Sequence, residues 1–486
     1  MERIRRNGAP VILSSAPWSE ETKQERFDRG PHNSANEFVE FLGGEYLDFL
    51  KKGYWMLLPH EAVKDMVNVR WSPLGVVPQR ERRPRVIVDY CFYGVNKDTL
   101  KLGPEEAIQF GKAVERLLKA GVRANPKFEP LLQYKLDISD GFYRIALSTS
   151  GSQRLGVLLL NFPGLPPLVA FPLVLPIGWT DSPQFFCVFT ESICDLANQE
   201  IRKNVRYPEH PLEGLAGATY FEDYGQTSLE AVASANTPAD VTEMPVVNEV
   251  QDPNEKGKIP RTHRPQLRNK PTAYLDASVD DFCGEGQHSK MNPLQNQRRT
   301  LFHTIDKVFR PNDSKDSASR KEPISISKLE KGEAAFHDQK RFLGWDFKGS
   351  TRQLLVAPHR REKALQHLDE LLAKQTSNRK DWERLLGELR SLVPGIAGSK
   401  GQLSVMQEGI SKGKNRVKVR GQIRHQLRTM RSLVASTSRP SSMYEPVPGP
   451  PPYTGATMPP KRAWAAYGSS TGRLYSGEHR PTLRPS

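Results

Sequence analysis

The most apolar stretch of this chain, Leu155 to Trp179, limits the folds that the sequence can adopt. It is long enough to cross a membrane as a helix. Prolines interrupt it at Pro163, Pro166, Pro167, Pro172 and Pro176. A proline inside a helix removes a backbone hydrogen bond and clashes with the preceding turn. The stretch therefore predicts short strands and turns in a folded core, and we expect no membrane partner.

The length and the cysteine pattern exclude a small fold that is held together by disulfides or a zinc ion. The chain has 486 residues, which at roughly 150 residues per domain predicts about three folded units. Its cysteines are Cys91, Cys187, Cys194 and Cys283. Because no C-x-x-C pair occurs among them, neither a zinc ribbon nor a disulfide framework is indicated. We expect an intracellular location, cytoplasmic or nuclear, and no signal peptide.

The basic surplus is concentrated near the C-terminal end. Lys and Arg number 70 against 55 Asp and Glu, a net charge of +15. Residues 400–486 hold 15 basic and 3 acidic residues, so they carry +12 and the preceding 399 residues carry only +3. This asymmetry predicts a polyanionic partner for the C-terminal part of the chain.

Local patterns predict several elements before the C-terminal region. Ser34 and Glu37 have the spacing of a capping box that opens a helix. Apolar runs on both sides of Arg80–Arg85 predict two strands joined by a basic hairpin. Residues 204–270 have almost no apolar periodicity, and we expect a disordered insertion there.

The C-terminal region begins with amphipathic patterns. Apolar spacing predicts helices over residues 364–372 and 382–389. Residues 411–432 contain eight Lys or Arg and no acid, with Ile423, Leu427 and Met430 on one stripe. They predict a basic helix, which either faces nucleic acid or forms a solvated charged surface.

Three carboxylates stand where apolar strands are predicted to end. Asp137 follows one apolar run, and Asp280 and Asp281 lie within another. A carboxylate in such a place is costly unless a cation meets it. Three converging carboxylates can hold two Mg²⁺ ions for nucleotidyl transfer. An Asp-Asp pair by itself is more typical of ordinary surface acids.

Four motifs in a fixed order give these acids a context. They are LDISDGFY at 136–143, LPIGWTDSPQFF at 175–186, VDD at 279–281 and FLGW at 342–345. Together they resemble the reverse transcriptase region of retroelement polyproteins, over about residues 30 to 410. Ser72–Pro78 and Arg85–Tyr90, with Asn96, look like the fingers of the same family.

The resemblance implies an α+β fold, a right-hand polymerase with fingers, palm and thumb and an antiparallel palm sheet. The implied segments are an irregular N-terminal segment (1–30), an N-terminal helix and fingers (31–130), a palm that includes the insertion at about 204–270 (131–350), thumb-like helices (351–410), a basic helical segment (411–439) and a Pro-rich linker with a tail (440–486). Other regions of the polyprotein would be missing from this chain.

The resemblance also implies a two-metal mechanism of DNA synthesis. Asp137, Asp280 and Asp281 match the catalytic, metal-binding acids, and the Ile138 carbonyl is expected beside the metal. The implied cofactor is two Mg²⁺ ions, with Mn²⁺ as an alternative. The implied partners are an RNA or DNA template with its primer, and deoxynucleoside triphosphates.

Further residues match nucleotide-binding positions of the family. Arg85 matches the arginine that neutralises the triphosphate, and Arg80 or Arg82 would supply a second cation. Phe142 matches an aromatic residue that excludes the ribose 2′-hydroxyl, although core packing is an alternative role. Gly178 would allow the backbone to approach the nucleotide and template closely.

Primer and template contacts are implied in two places. Phe342, Leu343, Gly344 and Trp345 match a hairpin that grips the primer, although an apolar core role fits them equally. In the basic segment, Lys412, Lys414 and Arg416 are expected to contact phosphates of the duplex.

Ser278 departs from the family pattern, in which an aromatic residue stands two positions before the paired acids. Serine offers a smaller surface beneath the primer terminus. Two functions therefore remain open. One is RNA-directed DNA synthesis by a retrotransposon-derived enzyme, and the other is nucleic-acid binding by a catalytically inactive relic.

The tail shows signs of a changed reading frame. Residues 453–457 resemble the opening strand of an RNase H-like domain, yet Met458 stands where an acid is expected. If one G is restored before the Met458 codon, residues 458–468 can read Asp-Ala-Ala-Glu-Ala-Gly-Met-Gly-Gly-Val-Trp, which resembles such an opening. This predicts that residues 458–486 are translated out of frame.

Overall fold

The computed structural model describes residues 1–79, 82–217, 267–290, 293–310, 322–411 and 415–443. The predicted sites Arg80, Lys412 and Lys414, the interior of the insertion and the tail lie outside these residues. The described chain forms two compact units. The N-terminal unit runs up to Gln353 and the C-terminal unit begins at Leu354.

The described residues form a mixture of helices and mainly antiparallel sheets, which confirms the predicted α+β class. The helices are α1 (Glu2–Asn7), α2 (Glu20–Arg29), α3 (Val39–Lys51), α4 (Val95–Asp98), α5 (Ala113–Gly121), α6 (Thr149–Ser152), α7 (Ser182–Arg202), α8 (Leu294–Phe309), α9 (Ile326–Leu329), α10 (Pro358–Ala373), α11 (Arg379–Leu392), α12 (Ser399–Ser411) and α13 (Gly421–Ser436). The strands are β1 (Trp55–Pro59), β2 (Trp71–Gln79), β3 (Arg82–Val88), β4 (Leu131–Asp137), β5 (Gly156–Leu158), β6 (Leu168–Pro172), β7 (Ala273–Ser278), β8 (Asp281–Gln287), β9 (Gln339–Phe342), β10 (Trp345–Lys348), β11 (Gln353–Val356), β12 (Thr376–Asn378), β13 (Arg416–Lys418) and β14 (Ser441–Ser442). The division into fingers, palm and thumb stays a prediction.

The apolar stretch belongs to a five-stranded sheet in the order β1-β6-β5-β2-β3. All its pairs are antiparallel except β2 with β5. Prolines lie between β5 and β6 and at the end of β6, which explains why both strands are short. The prediction of short strands is confirmed. Across the described ranges, no helix combines the length and apolar character that a membrane crossing requires.

A second sheet in the N-terminal unit has three antiparallel strands in the order β4-β8-β7. Helix α7 packs against β7, and α8 packs against both α7 and β8. Their contacts form a core in which Phe186, Phe282 and Leu301 are fully buried. Gly284 on β8 is required there, because a Cβ atom would lie 2.0 Å from Cε1 of Tyr134.

The N-terminal segment is more regular than the sequence predicts. Ser19 caps α2, its Oγ accepting a hydrogen bond from the Thr22 amide at 3.2 Å. The buried Lys23 ammonium donates to backbone carbonyls outside the helix. The predicted capping role of Ser34 is wrong, because its hydroxyl instead accepts from the Val76 amide on β2. These contacts reach across the fold, so local patterns did not reveal them.

Part of the predicted disordered insertion is ordered. Residues 204–217 pack against α8 through polar contacts. His210 Nε2 lies 2.9 Å from Asp306 Oδ2, and Arg299 Nε donates to Glu213 Oε2 at 2.7 Å. Such a segment has no apolar periodicity because polar groups fix it.

The C-terminal unit contains helices α10 to α13. Trp382 of α11 is fully buried and donates from Nε1 to the Met406 carbonyl of α12 at 3.1 Å. The basic segment differs from the single predicted helix, because β13 pairs antiparallel with β12 before α13 begins at Gly421. Gly421 has φ +54°, which separates the strand from the helix. Leu427 and Met430 are fully buried on α13.

Glu285 on β8 is a buried carboxyl in the three-stranded sheet. Its side chain is 1% exposed, and Oε1 has no hydrogen-bond partner among the described residues. Burial raises the pKa of Glu285 well above its usual range, and Arg268 opposes the rise. The folded protein therefore holds this proton at pH values at which the unfolded chain has lost it.

The contribution of Glu285 to the free energy of unfolding should accordingly fall as the pH rises above the ordinary glutamate pKa of 4.5. The loss from this one group is up to about 1.4 kcal/mol per pH unit, and Glu285→Gln should remove it. Denaturant unfolding at several pH values between about 5 and 8 measures the effect. The free energy of unfolding of Glu285→Gln should increase relative to that of the natural chain as the pH rises. The exposed Glu105→Gln is the matched control, and parallel curves for all three proteins would contradict the prediction.

Candidate active site

The three predicted carboxylates lie together at one end of the three-stranded sheet. Strand β4 ends at Asp137 and β8 begins at Asp281, and the two residues are direct partners in the antiparallel register. Asp280 lies in the two-residue turn between β7 and β8. We call Asp137, Asp280 and Asp281 the carboxylate cluster.

The turn that presents Asp280 has an uncommon backbone. Ser278 and Asp281 close it as a pair, and Val279 at its first position has φ +60°. Glycine usually occupies such a position in a two-residue hairpin turn, and a β-branched residue is an outlier there. The Asp280 carbonyl accepts a hydrogen bond from the Ile138 amide at 3.1 Å. Strained backbone persists where the surroundings fix it, and this bond ties the turn to the end of β4.

Two lysines contact the carboxylate cluster. Lys135 Nζ lies 3.1 Å from Asp137 Oδ1 and 3.2 Å from Asp281 Oδ1. Lys328 Nζ lies 3.3 Å from Asp137 Oδ2. Glu333 approaches both lysines, at 3.6 Å from Lys135 Nζ and 2.9 Å from Lys328 Nζ. The acids are therefore partly neutralised by the protein itself.

The pKa values of the three acids shift in different directions. Burial raises the pKa of Asp281 to about 6, with Asp137 and Asp280 adding to the rise and Lys135 opposing it. Burial also raises the pKa of Asp280. Burial acts in the same direction on Asp137, but Lys135, a hydrogen bond with the Asp281 carboxyl and Lys328 outweigh it and hold its pKa below the usual range. These shifts are those of carboxylates that crowd one another in a partly buried site.

The donor atoms are those that a hard divalent cation prefers. Asp137 Oδ1 is buried and accepts no well-directed hydrogen bond, although the Lys135 ammonium is 3.1 Å away. In the described ranges, the Ile138 carbonyl accepts no hydrogen bond, and no group of three His, Cys, Asp or Glu side chains is arranged to hold a metal ion. Lys135 lies between Asp137 and Asp281. The residues fit Mg²⁺ in kind, and an ion shared by the two aspartates would compete with the Lys135 ammonium.

Phe142 lies beside the carboxylate cluster, in the 3₁₀ helix Gly141–Arg144. A Cβ atom on Gly141 would be 3.9 Å from Asp280 Oδ2, so this helix borders the cluster. The Phe142 ring packs edge-on against Phe186 at 5.1 Å between centroids and remains half-buried. Core packing therefore fixes the ring and leaves part of it exposed.

Arg85 is exposed on β3, opposite Val77 of β2. Burial raises the pKa of Tyr143 to about 12, and the Arg85 charge opposes this rise, so Arg85 is within electrostatic range of the 3₁₀ helix that carries Phe142. Within the described part of the chain, its guanidinium forms no ion pair. Of the two candidates for the second cation, Arg80 is outside the described residues and Arg82 is the first residue of β3.

Gly178 has a structural reason to be glycine. It has φ +103°, and a Cβ atom would lie 2.7 Å from the Val88 carbonyl oxygen at the end of β3. Asn96 holds the same loop, donating from Nδ2 to the Gly178 carbonyl and accepting from the Thr180 amide, both at 2.9 Å. Gly178 was predicted to allow the backbone to approach a ligand closely, and in the structure it allows a close approach to the Val88 carbonyl.

The FLGW motif forms the tight hairpin between β9 and β10. Leu343 and Gly344 have φ +50° and +82°, as in a two-residue type I′ turn. Phe342 and Trp345 pair with each other and are each 1% exposed. Their rings belong to the core, as the alternative role of this motif requires, and primer binding by the hairpin stays a prediction. The half-buried Leu343 and Gly344 form the tip.

Arg416 belongs to the C-terminal unit and is exposed on β13, as is Lys418, while Val417 between them is buried. The alternation follows from the two-residue period of a strand. Lys412 and Lys414 lie outside the described residues.

Sequence reasoning missed three residues that surround the carboxylate cluster: Lys135, Lys328 and Glu333. Lys135 had a signal, because it stands two positions before Asp137 and hence on the same face of β4. Lys328 and Glu333 come from a later segment without a recognisable motif. Ser278 is 8% exposed and is paired with Asp281.

The tight contact at Gly178 yields a prediction on stability. Gly178→Ala should destabilise the protein by about 1–3 kcal/mol, because a Cβ atom would collide with the Val88 carbonyl. Chemical denaturation measures this loss. Gly111→Ala is the matched control, because the space around Gly111 is open, and an equal stability of both variants would refute the assignment.

Neither a family model nor a curated protein matches this chain. Solved structures that resemble it include the foamy viral protease-reverse transcriptase dRH in complex with double-stranded DNA, with 13% identity, a TM-score of 0.42 and coverage of 90% of this chain and 52% of that chain. Two others are the foamy viral protease-reverse transcriptase with double-stranded DNA (13%, 0.42, 85% and 59%) and with an RNA/DNA hybrid (13%, 0.41, 89% and 40%). This chain spans about half the length of these proteins. At this identity and TM-score, the likeness concerns the course of the chain and assigns no activity or ligand.

Proposed function

We propose that this chain is an RNA-directed DNA polymerase of retrotransposon origin that works by two-metal nucleotidyl transfer. One observation carries the proposal. The pairing of β4 with β8 brings Asp137 and Asp281 opposite each other, with Asp280 in the adjoining turn. The cluster is partly buried, and its acids are incompletely neutralised, which suits the binding of divalent cations.

In the proposed mechanism, Asp137, Asp280 and Asp281 would hold two Mg²⁺ or Mn²⁺ ions, with the Ile138 carbonyl beside them. The bound ions would activate the primer 3′-hydroxyl and stabilise the charge of the leaving pyrophosphate. The protein itself contributes position and charge, because in-line phosphoryl transfer needs little covalent chemistry from the enzyme.

Other side chains would bind and orient the substrates. Arg85, together with Arg80 or Arg82, would neutralise the triphosphate, and the exposure of Arg85 supports this role. The partly exposed ring of Phe142 would discriminate against a ribose 2′-hydroxyl. The loop at Gly178 and the hairpin tip Leu343–Gly344 would border the nascent base pair and the primer.

Phosphate contacts of the C-terminal unit would hold the template and primer. Lys412, Lys414 and Arg416 are proposed to make these contacts, and the exposure of Arg416 supports the assignment. Binding of this kind weakens as salt rises, because bound counterions are released from the nucleic acid.

Primer extension on an RNA template with Mg²⁺ and deoxynucleotides tests the polymerase proposal. Asp280→Asn should reduce incorporation at least about 100-fold, because it removes a charged metal ligand. The exposed Asp65→Asn is the matched control and should retain activity. Incorporation that survives Asp280→Asn would refute the proposed site.

The second candidate function is that of a catalytically inactive relic that still binds nucleic acid. Ser278 favours it, since a small side chain stands where the family has an aromatic residue. Salt-dependent binding of a primer-template without any incorporation by the natural chain would support the relic and contradict the polymerase.

Sugar selection gives a separate prediction. Phe142→Val should raise ribonucleotide incorporation relative to deoxynucleotide incorporation by about 10- to 100-fold. The ratio of kcat/KM for the two nucleotides measures the effect. Phe186→Leu disturbs the same ring contact from the core side and should leave the ratio unchanged. A change shared by both variants would assign Phe142 to core packing alone.

A further inference from the structure

We propose that Lys135 is an internal counter-ion that occupies the carboxylate cluster without metal and moves to Glu333 when a divalent cation binds. The inference rests on the proposed function, because it takes the cation as the ligand of the cluster. It adds a positioning residue and an exchange step that the metal-binding motif does not contain.

The geometry assigns Lys135 to the place where an ion shared by two aspartates would bind. Its ammonium lies 3.1 Å from Asp137 Oδ1 and 3.2 Å from Asp281 Oδ1. Asp137 and Asp281 are cross-strand partners, and Lys135 stands two positions before Asp137 on the same strand. The side chain is 17% exposed. Because two cations cannot contact the same oxygens without strong repulsion, the ammonium and a bridging ion exclude each other.

A second position for the ammonium is already present. Glu333 Oε2 lies 3.6 Å from Lys135 Nζ, and it is buried with no hydrogen-bond partner among the described residues. The other oxygen of Glu333 is engaged by Lys328 at 2.9 Å. A small shift of the ammonium toward Oε2 would free both aspartates and satisfy a buried carboxylate oxygen.

The charges around the cluster favour an exchange over simple addition. Asp137, Asp280, Asp281 and Glu333 bring four acidic groups, and Lys135 and Lys328 bring two ammonium groups. Lys328 contacts the other oxygen of Asp137 and is 39% exposed. It can therefore remain while Lys135 moves. Lys340 is a further cation in this region, but it donates to the Gly332 and Ala335 carbonyls and is not paired with an aspartate.

Binding of Mn²⁺ to the full chain without nucleotide tests the exchange, followed by electron paramagnetic resonance and by competition with Mg²⁺. Lys135→Met should bind Mn²⁺ about 10-fold more tightly, whereas a lysine with only a structural role would give unchanged or weaker binding. Lys340→Met is the matched control for loss of a nearby charge and should change the affinity much less. Asp281→Asn should abolish the binding and so identify the site.

The variant Glu333→Gln provides an independent test of the exchange. It should weaken Mn²⁺ binding in the natural chain, because the displaced ammonium loses its second position. The effect should be markedly smaller in the Lys135→Met background, which a double-mutant cycle measures. Lys135→Arg keeps the charge and should bind Mn²⁺ no more tightly than the natural chain. If Lys135→Met does not fold without metal, the Mn²⁺ affinities of Lys135→Arg and Glu333→Gln test the exchange instead.

The outcomes separate the inference from the proposed function. Binding to the natural chain that is lost in Asp281→Asn but not strengthened in Lys135→Met would overturn the exchange and leave the metal site intact. The same holds if Glu333→Gln has equal effects in both backgrounds. Absence of Asp281-dependent binding in every variant would overturn the metal site itself, and the exchange with it.

Discussion

The antiparallel pairing of β4 with β8 is the constraint on which the candidate site depends. It sets Asp137 against Asp281 and orients the turn that holds Asp280. A slip of one residue would send the side chains of one strand to the opposite face of the sheet. The fully buried Leu136 and Phe282, which are cross-strand partners, oppose such a slip because each would lose its place in the core. Packing beneath the sheet therefore fixes the geometry of the acids at its end.

The same pairing creates an electrostatic problem that the protein solves locally. Acids brought together in a partly buried site repel each other, and the pKa of Asp281 rises to about 6 as burial and its acidic neighbours act on it. Lys135, which lies on β4 with Asp137, and Lys328, which comes from a later segment, offset the repulsion. A site that was fully neutralised in this way would bind a metal poorly, whereas one without lysines would be unstable without metal. The incomplete neutralisation lies between these limits.

The sequence predicted the acids but not their partners. Asp137 and the Asp280–Asp281 pair lie in short motifs whose strand and turn context can be inferred from neighbouring residues. The role of Glu333 depends on where a segment without apolar periodicity returns to the sheet, and no local pattern contains that information. The same reason explains Ser34, whose hydroxyl meets a distant strand, and β13, whose pairing with β12 overrides the helical pattern of the basic segment. Phe342 and Trp345 show the converse, since the apolar character of their motif already offered the core role that their burial displays.

The identity of the side chain at position 278 does not determine where the three acids lie. Its pairing with Asp281 closes the turn, and the turn is also held by the hydrogen bond from the Ile138 amide to the Asp280 carbonyl. Because backbone groups make these contacts, they form equally well with a serine or with an aromatic residue at position 278. Under the proposed function, a loss of incorporation caused by Ser278 would then arise from the surface offered to the primer and not from displaced carboxylates. A relic that decayed at Ser278 alone would keep the carboxylate cluster in place, so under the proposed function nucleotide incorporation would be lost without loss of the proposed metal site.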